Sequence, residues 1–231
     1  MDTVLIAGGT GLVGSRLYAN LVSKGYTVLV LTRNKDKAKA GAHMLYWDIE
    51  RGIIDEQAAT VDYVINLSGA GIADGRWTRS RKQLILNSRI DSTGFLIEYL
   101  RKREVKLKAF LSASAIGYYG DGGNKVLREE DDVVTDEFLS QVCVAWEDAA
   151  ANAQDISKRL ITYRISTVLS REGGALAKMD VTIPLGVANY LGSGDQYFSW
   201  IHIDDLCDMF IEGIKNMEMN GIYNACAPEQ L

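Results

Sequence analysis

The chain has 231 residues, 47% of them hydrophobic and 24% charged, with 25 Lys and Arg against 30 Asp and Glu and a formal net charge of −5. That composition suits a globular protein with one substantial core. It offers neither the basic face of a nucleic-acid binder nor the 18-residue apolar run of a membrane span.

The predicted elements alternate in type along the chain. Met1-Asp2-Thr3 carries no basic stretch, so the N-terminus predicts a strand over Thr3–Ala7 rather than a signal peptide. Leu12, Val13, Leu17, Leu21 and Val22 then recur with helical spacing, and Gly25 ends that helix. Further apolar runs predict strands over Thr27–Leu31, Met44–Trp47 and Val61–Leu67. A long helix over 78–102 places Leu86, Ile90, Ile97 and Leu100 on one stripe. Leu107–Ala113 predicts a fifth strand. A helix over 136–153 follows, with Phe138, Val142, Ala145 and Ala149 on one side and Thr135 or Asp136 as its cap. Leu160–Ile165 predicts a sixth strand. The segment after Leu169 is broken by Gly173-Gly174, Gly186 and Gly192-Ser193-Gly194, and reads as a loop-rich insertion ending at the run Phe198–Ile203. Asp204-Asp205 is the expected cap of a helix through Ile214, and Gly221–Ala225 a last strand. Strands separated by helices give an α/β fold with a parallel sheet covered on both faces.

Gly8-Gly9-Thr10-Gly11-Leu12-Val13-Gly14 lies directly after a predicted strand and opens a predicted helix. In that context the glycines read as a phosphate-binding turn. The first glycines permit a tight turn, Gly11 lets the backbone approach a pyrophosphate, and Gly14 lets helix and strand pack closely. The helix N-terminus offers free N–H groups and partial positive charge to the phosphates. The second strand ends at Thr32-Arg33-Asn34, with no acid before Asp36. A carboxylate there suits the ribose of NAD(H), whereas Arg33 attracts the 2′-phosphate of NADP(H), so NADP(H) is preferred and NAD(H) is the alternative. Lys35 and Lys37 add positive field. Asp48, closing the third strand, is a candidate for the adenine amine or for its own turn. Asn66-Leu67-Ser68-Gly69-Ala70-Gly71 places small residues where open α/β sheets bind ligands, so Leu67, Ser68 and Gly69 join the candidate cofactor residues.

Four segments together resemble the extended short-chain dehydrogenases/reductases: Gly8–Gly14, Asn66-Leu67-Ser68-Gly69, Ser112-Ala113-Ser114-Ala115-Ile116-Gly117-Tyr118-Tyr119-Gly120 and Trp200-Ile201-His202-Ile203-Asp204-Asp205. Arg76-Trp77-Thr78, Ser88-Arg89 and Ala145-Trp146-Glu147 narrow the resemblance to the atypical branch labelled "epimerase family protein" or NAD-dependent epimerase/dehydratase. It extends over essentially all 231 residues. It implies a Rossmann-type, doubly wound parallel sheet and a small substrate lobe, formed by residues 171–200 and a C-terminal segment that in relatives runs beyond Leu231.

Extended members use a Ser or Thr after the fifth strand and a Tyr-x-x-x-Lys on the next helix, where ammonium and ribose lower the tyrosine pKa. The chain contains no Tyr-x-x-x-Lys. If Glu147 matches the acid that follows that motif, the Tyr and Lys positions hold Leu139 and Cys143. Ser114 stands at the family's serine and is the candidate catalytic residue, able to hydrogen-bond a substrate carbonyl or hydroxyl; the alternative is a satisfied polar group at a strand end. Glu147 reads as an acid/base or a surface residue, and Tyr118 and Tyr119 as packing residues or a phenol source. Arg89 reads as a partner of the pyrophosphate or a substrate anion, or as a solvated charge. Thr167 falls near the nicotinamide, and His202 is a structural hydrogen-bond partner. Cys143, Cys207 and Cys226, lacking metal-site spacing with His43 and His202, read as reduced thiols of a cytoplasmic protein without a metal.

Two functions follow. The first is an NADP(H)-dependent oxidoreductase or epimerase acting on a small or nucleotide-linked substrate. The second is a non-catalytic NADP(H)-sensing or interaction protein, such as a division-related regulator. Neither requires nucleic acid or a membrane as partner.

Overall fold

The apolar run Thr3–Ala7 (β1) is buried on both faces because strands pair with it on either side and helices cover it above and below; Val4 to Ala7 are fully inaccessible. The computed structural model describes all residues except 42, 134, 175, 178–196 and 229–231. The remaining strands are β2 (Thr27–Thr32), β3 (Met44–Asp48), β4 (Ile53–Ile54), β5 (Tyr63–Asn66), β6 (Ala109–Ala115), β7 (Leu160–Ile165), β8 (Thr167–Ser170), β9 (Trp200–His202) and β10 (Gly221–Ala225). The helices are α1 (Leu12–Ser23), α2 (Lys35–Ala40), α3 (Arg79–Lys102), α4 (Phe138–Ala151) and α5 (Ile203–Lys215).

Eight strands form one sheet in the order β10-β7-β6-β5-β1-β2-β3-β4, parallel throughout except for the β3–β4 pair. The chain winds outward from β1 through β2 and β3, then returns to β5 on the other side of β1. This is a Rossmann-like, doubly wound α/β fold, and the order reverses between β1 and β5, where such sheets leave a ligand crevice. The register brings Ala7 beside Leu31 and Asn66, and Asn66 beside Ser112. The strands therefore end together along one rim.

Alternate strand residues feed two cores. Val4, Ile6, Val30, Ile65 and Leu111 face α1 and α5, meeting Leu17, Leu21, Leu206 and Phe210. Leu5, Leu29, Leu31, Val64 and Phe110 face α3 and α4, meeting Leu96, Leu100 and Ala150. This period-two division is what strands buried on both faces require. Beside the main sheet, β8 and β9 form a two-stranded parallel ribbon.

Several boundaries differ from the sequence expectation. The short helix α2 and strand β4 carry too few periodic residues to show as patterns. The fifth expected strand spans Ala109–Ala115, while Leu107 makes an isolated bridge to Ser157. On α3 the fully buried apolar positions include Ile85 and Leu96, with Leu86 and Ile90 half-buried, because Ser92 and Thr93 share the inward face. Neither Thr135 nor Asp136 caps α4. Its N-cap is Glu137, without a side-chain bond, and Thr135 Oγ1 accepts from the Glu137 amide instead. At α5 the cap is His202, whose Nδ1 accepts from the Asp204 amide at 3.2 Å, and Asp204 and Asp205 lie in the first turn, where carboxylates oppose the helix dipole. The glycines at 186 and 192–194, and most of the 171–200 insertion, lie outside the described residues.

The far end of α5 is held by Arg159, 6% exposed. Its Nη1 donates to the carbonyls of Gly213 (2.7 Å), Asn216 (3.0 Å) and Met219 (3.2 Å), and its Nη2 to that of Ile214 (3.2 Å). Gly213 and Ile214 offer carbonyls that a helix C-terminus leaves unpaired, Met219 lies four residues beyond the helix, and Asn216 O also accepts from the Met219 amide; a cation there also complements the dipole. Replacing Arg159 with Met keeps the apolar volume and strands these acceptors. A loss of about 2–4 kcal/mol in urea unfolding is expected, since each buried orphan costs about 1–3 kcal/mol; an unchanged midpoint would show the clamp to be dispensable.

Candidate cofactor and active site

Between β1 and α1 the chain turns where no side chain fits. Gly8 has φ +83°, and a Cβ on it would lie 2.6 Å from the Leu67 carbonyl oxygen. A Cβ on Gly14 would lie 2.5 Å from both Gly8 O and Gly9 Cα. By contrast, a Cβ on Gly11 would meet only Gly8 O, at 3.4 Å. Gly8 and Gly14 are thus fixed by internal packing, whereas Gly11 borders open space beside the exposed Thr10. The α1 N-cap is Gly11 itself, with no side-chain bond and no acid in the first turn. Nothing in α1's own first turn neutralises the end formed by Leu12 and Val13, which suits a phosphate.

At the end of β2, Thr32 is buried and its Oγ1 accepts from the Asn34 amide at 3.2 Å. Asn34 in turn caps α2 through the amides of Asp36 and Lys37. Arg33 is exposed and, among the described residues, has no ion pair. Asp36 points its charge into the first turn of α2. Asp48 serves its own turn: Oδ1 accepts from the Arg51 amide (3.1 Å) and Oδ2 from Tyr46 Oη (2.9 Å). Those two bonds hold its carboxyl below the usual range. Of the two readings of Asp48, the turn is the one with visible bonds.

The end of β5 is clamped to α3 by hydroxyls. Asn66 Nδ2 donates to Thr93 Oγ1 (2.8 Å), Ser68 Oγ to Asn66 Oδ1, and Ser68 Oγ lies 2.7 Å from Ser92 Oγ. The Ala70 amide donates to Ser88 Oγ (2.9 Å), and Arg89 Nη1 donates to Ala70 O (3.1 Å) and Ile85 O (2.9 Å). The Ser68 hydroxyl is therefore occupied within the protein, and what this loop presents is backbone at Leu67, Ser68 and Gly69. Arg89 is not a solvated charge. It stacks 4.9 Å over Trp146, would meet a Cβ on Gly69 at 3.0 Å, and its burial lowers its pKa. Among the described residues it has no acidic partner.

The centre lies at the ends of β6 and β7. Ser114, paired with Arg164 across these strands, donates from Oγ to Glu147 Oε1 at 2.6 Å. Arg164, 2% exposed, grips Glu147 with Nε on Oε1 and Nη2 on Oε2, both at 3.0 Å. Its Nη1 donates to Tyr119 Oη (2.9 Å) and Glu129 O (3.3 Å), and the guanidinium lies 3.3 Å over the Tyr118 ring. Tyr119 Oη donates to Asn224 Oδ1 at 2.8 Å. Burial disfavours the Arg164 charge, but the bonds to Glu147 and Tyr119 outweigh it and raise its pKa. Glu147 is thus neither a surface residue nor a free base, the Tyr119 phenol is held between Arg164 and Asn224, and the Tyr118 ring packs on the guanidinium. Burial pushes the Tyr119 phenol up.

Leu139 and Cys143 stand on the same face of α4, near Gly117. Burial also pushes the Cys143 thiol up, which favours its protonated form. Thr167 opens β8, half-buried, and its amide donates to Ser199 O. The neighbouring Ser166 hydroxyl is spent on Ala225 O. Sequence reasoning missed Arg164. The signal was present as a lone cation inside the strand run Leu160–Ile165, which demands a buried acid. No helix among the described residues is long and apolar enough to cross a membrane, and no cluster of metal-ligating residues is found among them.

The phosphate turn generates a direct test. Gly14→Ala inserts a methyl group against backbone that cannot move, so a stability loss of about 1–3 kcal/mol is expected, together with weakened binding of 2′,5′-ADP measured by calorimetry. Normal stability and affinity would show that α1 can shift to admit the methyl.

The NAD dependent epimerase/dehydratase family matches residues 4–226 of this chain. An epimerase family protein of Staphylococcus haemolyticus is 37% identical over 228 residues, covering 99% of this chain and 76% of the relative. One from Mycobacterium bovis is 38% identical over 226 residues, covering 97% and 73%. The crystal structure of the human epimerase family protein SDR39U1 with NADPH superposes with a TM-score of 0.87 at 30% identity, covering 98% of this chain and 75% of that one.

Proposed function

Because the chain belongs to the NAD dependent epimerase/dehydratase family, we propose that it is an NADP(H)-binding oxidoreductase or epimerase-like protein acting on a small-molecule or nucleotide-linked substrate. The observation that carries this reading is the α1 N-terminus, without a side-chain cap, beside the exposed Arg33 at the end of the adjacent strand β2, which has no ion pair among the described residues. The human relative crystallised with NADPH supports the same choice of cofactor.

In this reading Gly8, Thr10, Gly11, Leu12, Val13 and Gly14 cradle the pyrophosphate, and Arg33, beside Thr32, takes the 2′-phosphate. The backbone of Leu67 to Gly69, with Arg89 and Thr167, lines the nicotinamide half. Asp48 sits at the adenine end, where it shapes the turn. A bound nicotinamide supplies hydride transfer, and Ser114 meets the reacting oxygen. The chain acts as one unit over 1–231, and the 171–200 segment contributes to the substrate lobe.

A second reading is favoured by one observation. If Glu147 matches the acid that follows the Tyr-x-x-x-Lys of extended members, Leu139 and Cys143 stand at the phenol and ammonium positions, and a buried thiol with raised pKa replaces neither. A non-catalytic NADP(H)-sensing protein would look like this. Binding of NADPH without turnover of any carbonyl or alcohol in a broad panel would select it.

The cofactor assignment is tested by Arg33→Asp. A charge-assisted hydrogen bond is worth about 1.5–3 kcal/mol, so NADPH affinity is expected to fall roughly 10- to 100-fold while NADH affinity holds or rises. An unchanged ratio of the two dissociation constants would remove Arg33 from the site.

A further inference from the structure

Ser114 does not face its surroundings as an ordinary serine. Its one hydroxyl proton lies in the 2.6 Å bond to Glu147 Oε1. Both Glu147 oxygens also accept N–H groups from Arg164, at 3.0 Å each. A carboxylate in that grip is an acceptor, so the shared proton belongs to serine. Arg164 has no freedom to release Glu147. It is buried, lies over the Tyr118 ring, and gives its remaining nitrogen to Tyr119 Oη and Glu129 O. Ser114 is itself buried, 3% exposed, beside the Cys143 thiol, and stands at the carboxyl end of β6, on the rim where open α/β sheets bind ligands.

We propose that Glu147 and Arg164 are positioning residues that fix Ser114 Oγ as a hydrogen-bond acceptor toward the substrate, so that the site selects a ligand carrying a donor, such as the hydroxyl of an alcohol, over the matching carbonyl compound. A hydroxyl has one proton and two lone pairs. With the proton committed to Glu147, a ketone oxygen would meet lone pairs with lone pairs, whereas an alcohol donates into them. Turning the serine proton toward a ketone would break a charge-assisted bond inside the protein, and that loss corresponds to roughly 10- to 100-fold in affinity. The inference rests on the proposed function in one respect: it uses the ligand position at the end of β6.

Glu147→Gln tests it with little change of shape. With its amide at the Oε1 position the glutamine donates to Ser114 Oγ and gives up the Arg164 Nε bond that Oε1 also accepts, its carbonyl keeps the Arg164 Nη2 bond, and the serine proton is freed toward the ligand side. Neutron diffraction from crystals exchanged into D2O reads the proton directly. In the wild-type protein the deuteron is expected on Ser114 Oγ, directed at Glu147 Oε1, and in Glu147→Gln directed away from residue 147. A wild-type deuteron directed away from Glu147 overturns the proposal.

Cyclohexanol and cyclohexanone, titrated onto the NADPH-saturated protein and followed by ligand-observed NMR, read the consequence. The alcohol is expected to bind at least about tenfold tighter in the wild type, with the ratio reversed or narrowed in Glu147→Gln and lost in Ser114→Ala. Equal affinities in the wild type, or one ratio in all three proteins, overturn it. Ser114→Ala leaves the Arg164–Glu147 pair intact and carries the ratio test if Glu147→Gln does not fold. Failure of 2′,5′-ADP to bind the wild-type protein would count against the cofactor reading alone, since the deuteron on Ser114 is read without any ligand.

Discussion

A guanidinium buried near the end of a β-strand has to be both neutralised and fully hydrogen-bonded, and the structure around the candidate site follows from meeting that demand for Arg164. The strand β7 supplies the charge, α4 answers with Glu147, the turn after β6 supplies Tyr118 and Tyr119, and the Glu129 carbonyl takes the remaining bond. Tyr119 passes the constraint to Asn224 on β10, and the Asn224 amide returns it to Glu129 Oε1 at 2.8 Å. The two elements flanking β6 and the edge strand beyond β7 are thus joined through one side chain. A buried ion pair of this kind adds little net stability compared with an apolar replacement, but removing one partner is costly. Its contribution is specificity of arrangement: it orients α4 so that one position on it reaches Ser114.

Both faces of the sheet carry an apolar core, but the α3 side adds a polar patch near the strand ends. Under α1 and α5 the contacts are apolar, from Leu17 and Leu21 to Phe210 and Ile214. Under the N-terminal half of α3 they are polar, a chain of Asn66, Ser68, Ser88, Ser92 and Thr93 that fastens the β5 loop through short, directional bonds. Apolar packing tolerates small sliding, whereas a closed set of hydrogen bonds does not. The polar clamp lies where backbone has to be presented to a ligand, which is where sliding would do most harm.

The sheet was legible in the sequence because strands buried on both faces leave continuous apolar runs. β1 and β7 fall where those runs lie, and β10 falls at its expected bounds although it is an edge strand with only Ala225 buried. The Gly8–Gly14 turn was legible for a related reason, since its glycines answer to steric limits that no other residue meets. Interior polar order was not legible. Ser92 and Thr93 carry no apolar signal, although Thr93 shares the wheel face of Ile97 and Leu100 and Ser92 that of Ile85 and Leu96, and their inward place is satisfied by Asn66 and Ser68 at the end of β5. His202 gave no sign of capping α5, because a histidine cap depends on a ring nitrogen being aimed at one amide. Arg164 and Glu147 lie 17 residues apart on different elements, and only the fold brings them together. Sequence could name Ser114 as a candidate; it could not show where its proton goes.

The contact between Gly8 and the Leu67 carbonyl has a consequence for the shape of the crevice. The phosphate turn and the β5 loop touch backbone to backbone, at a distance that excludes even a methyl group. No side chain stands between them to be lengthened, shortened or turned. The two walls on either side of the strand-order reversal therefore behave as a fixed gauge. Any variation in the width between these walls has to arise further out along their length.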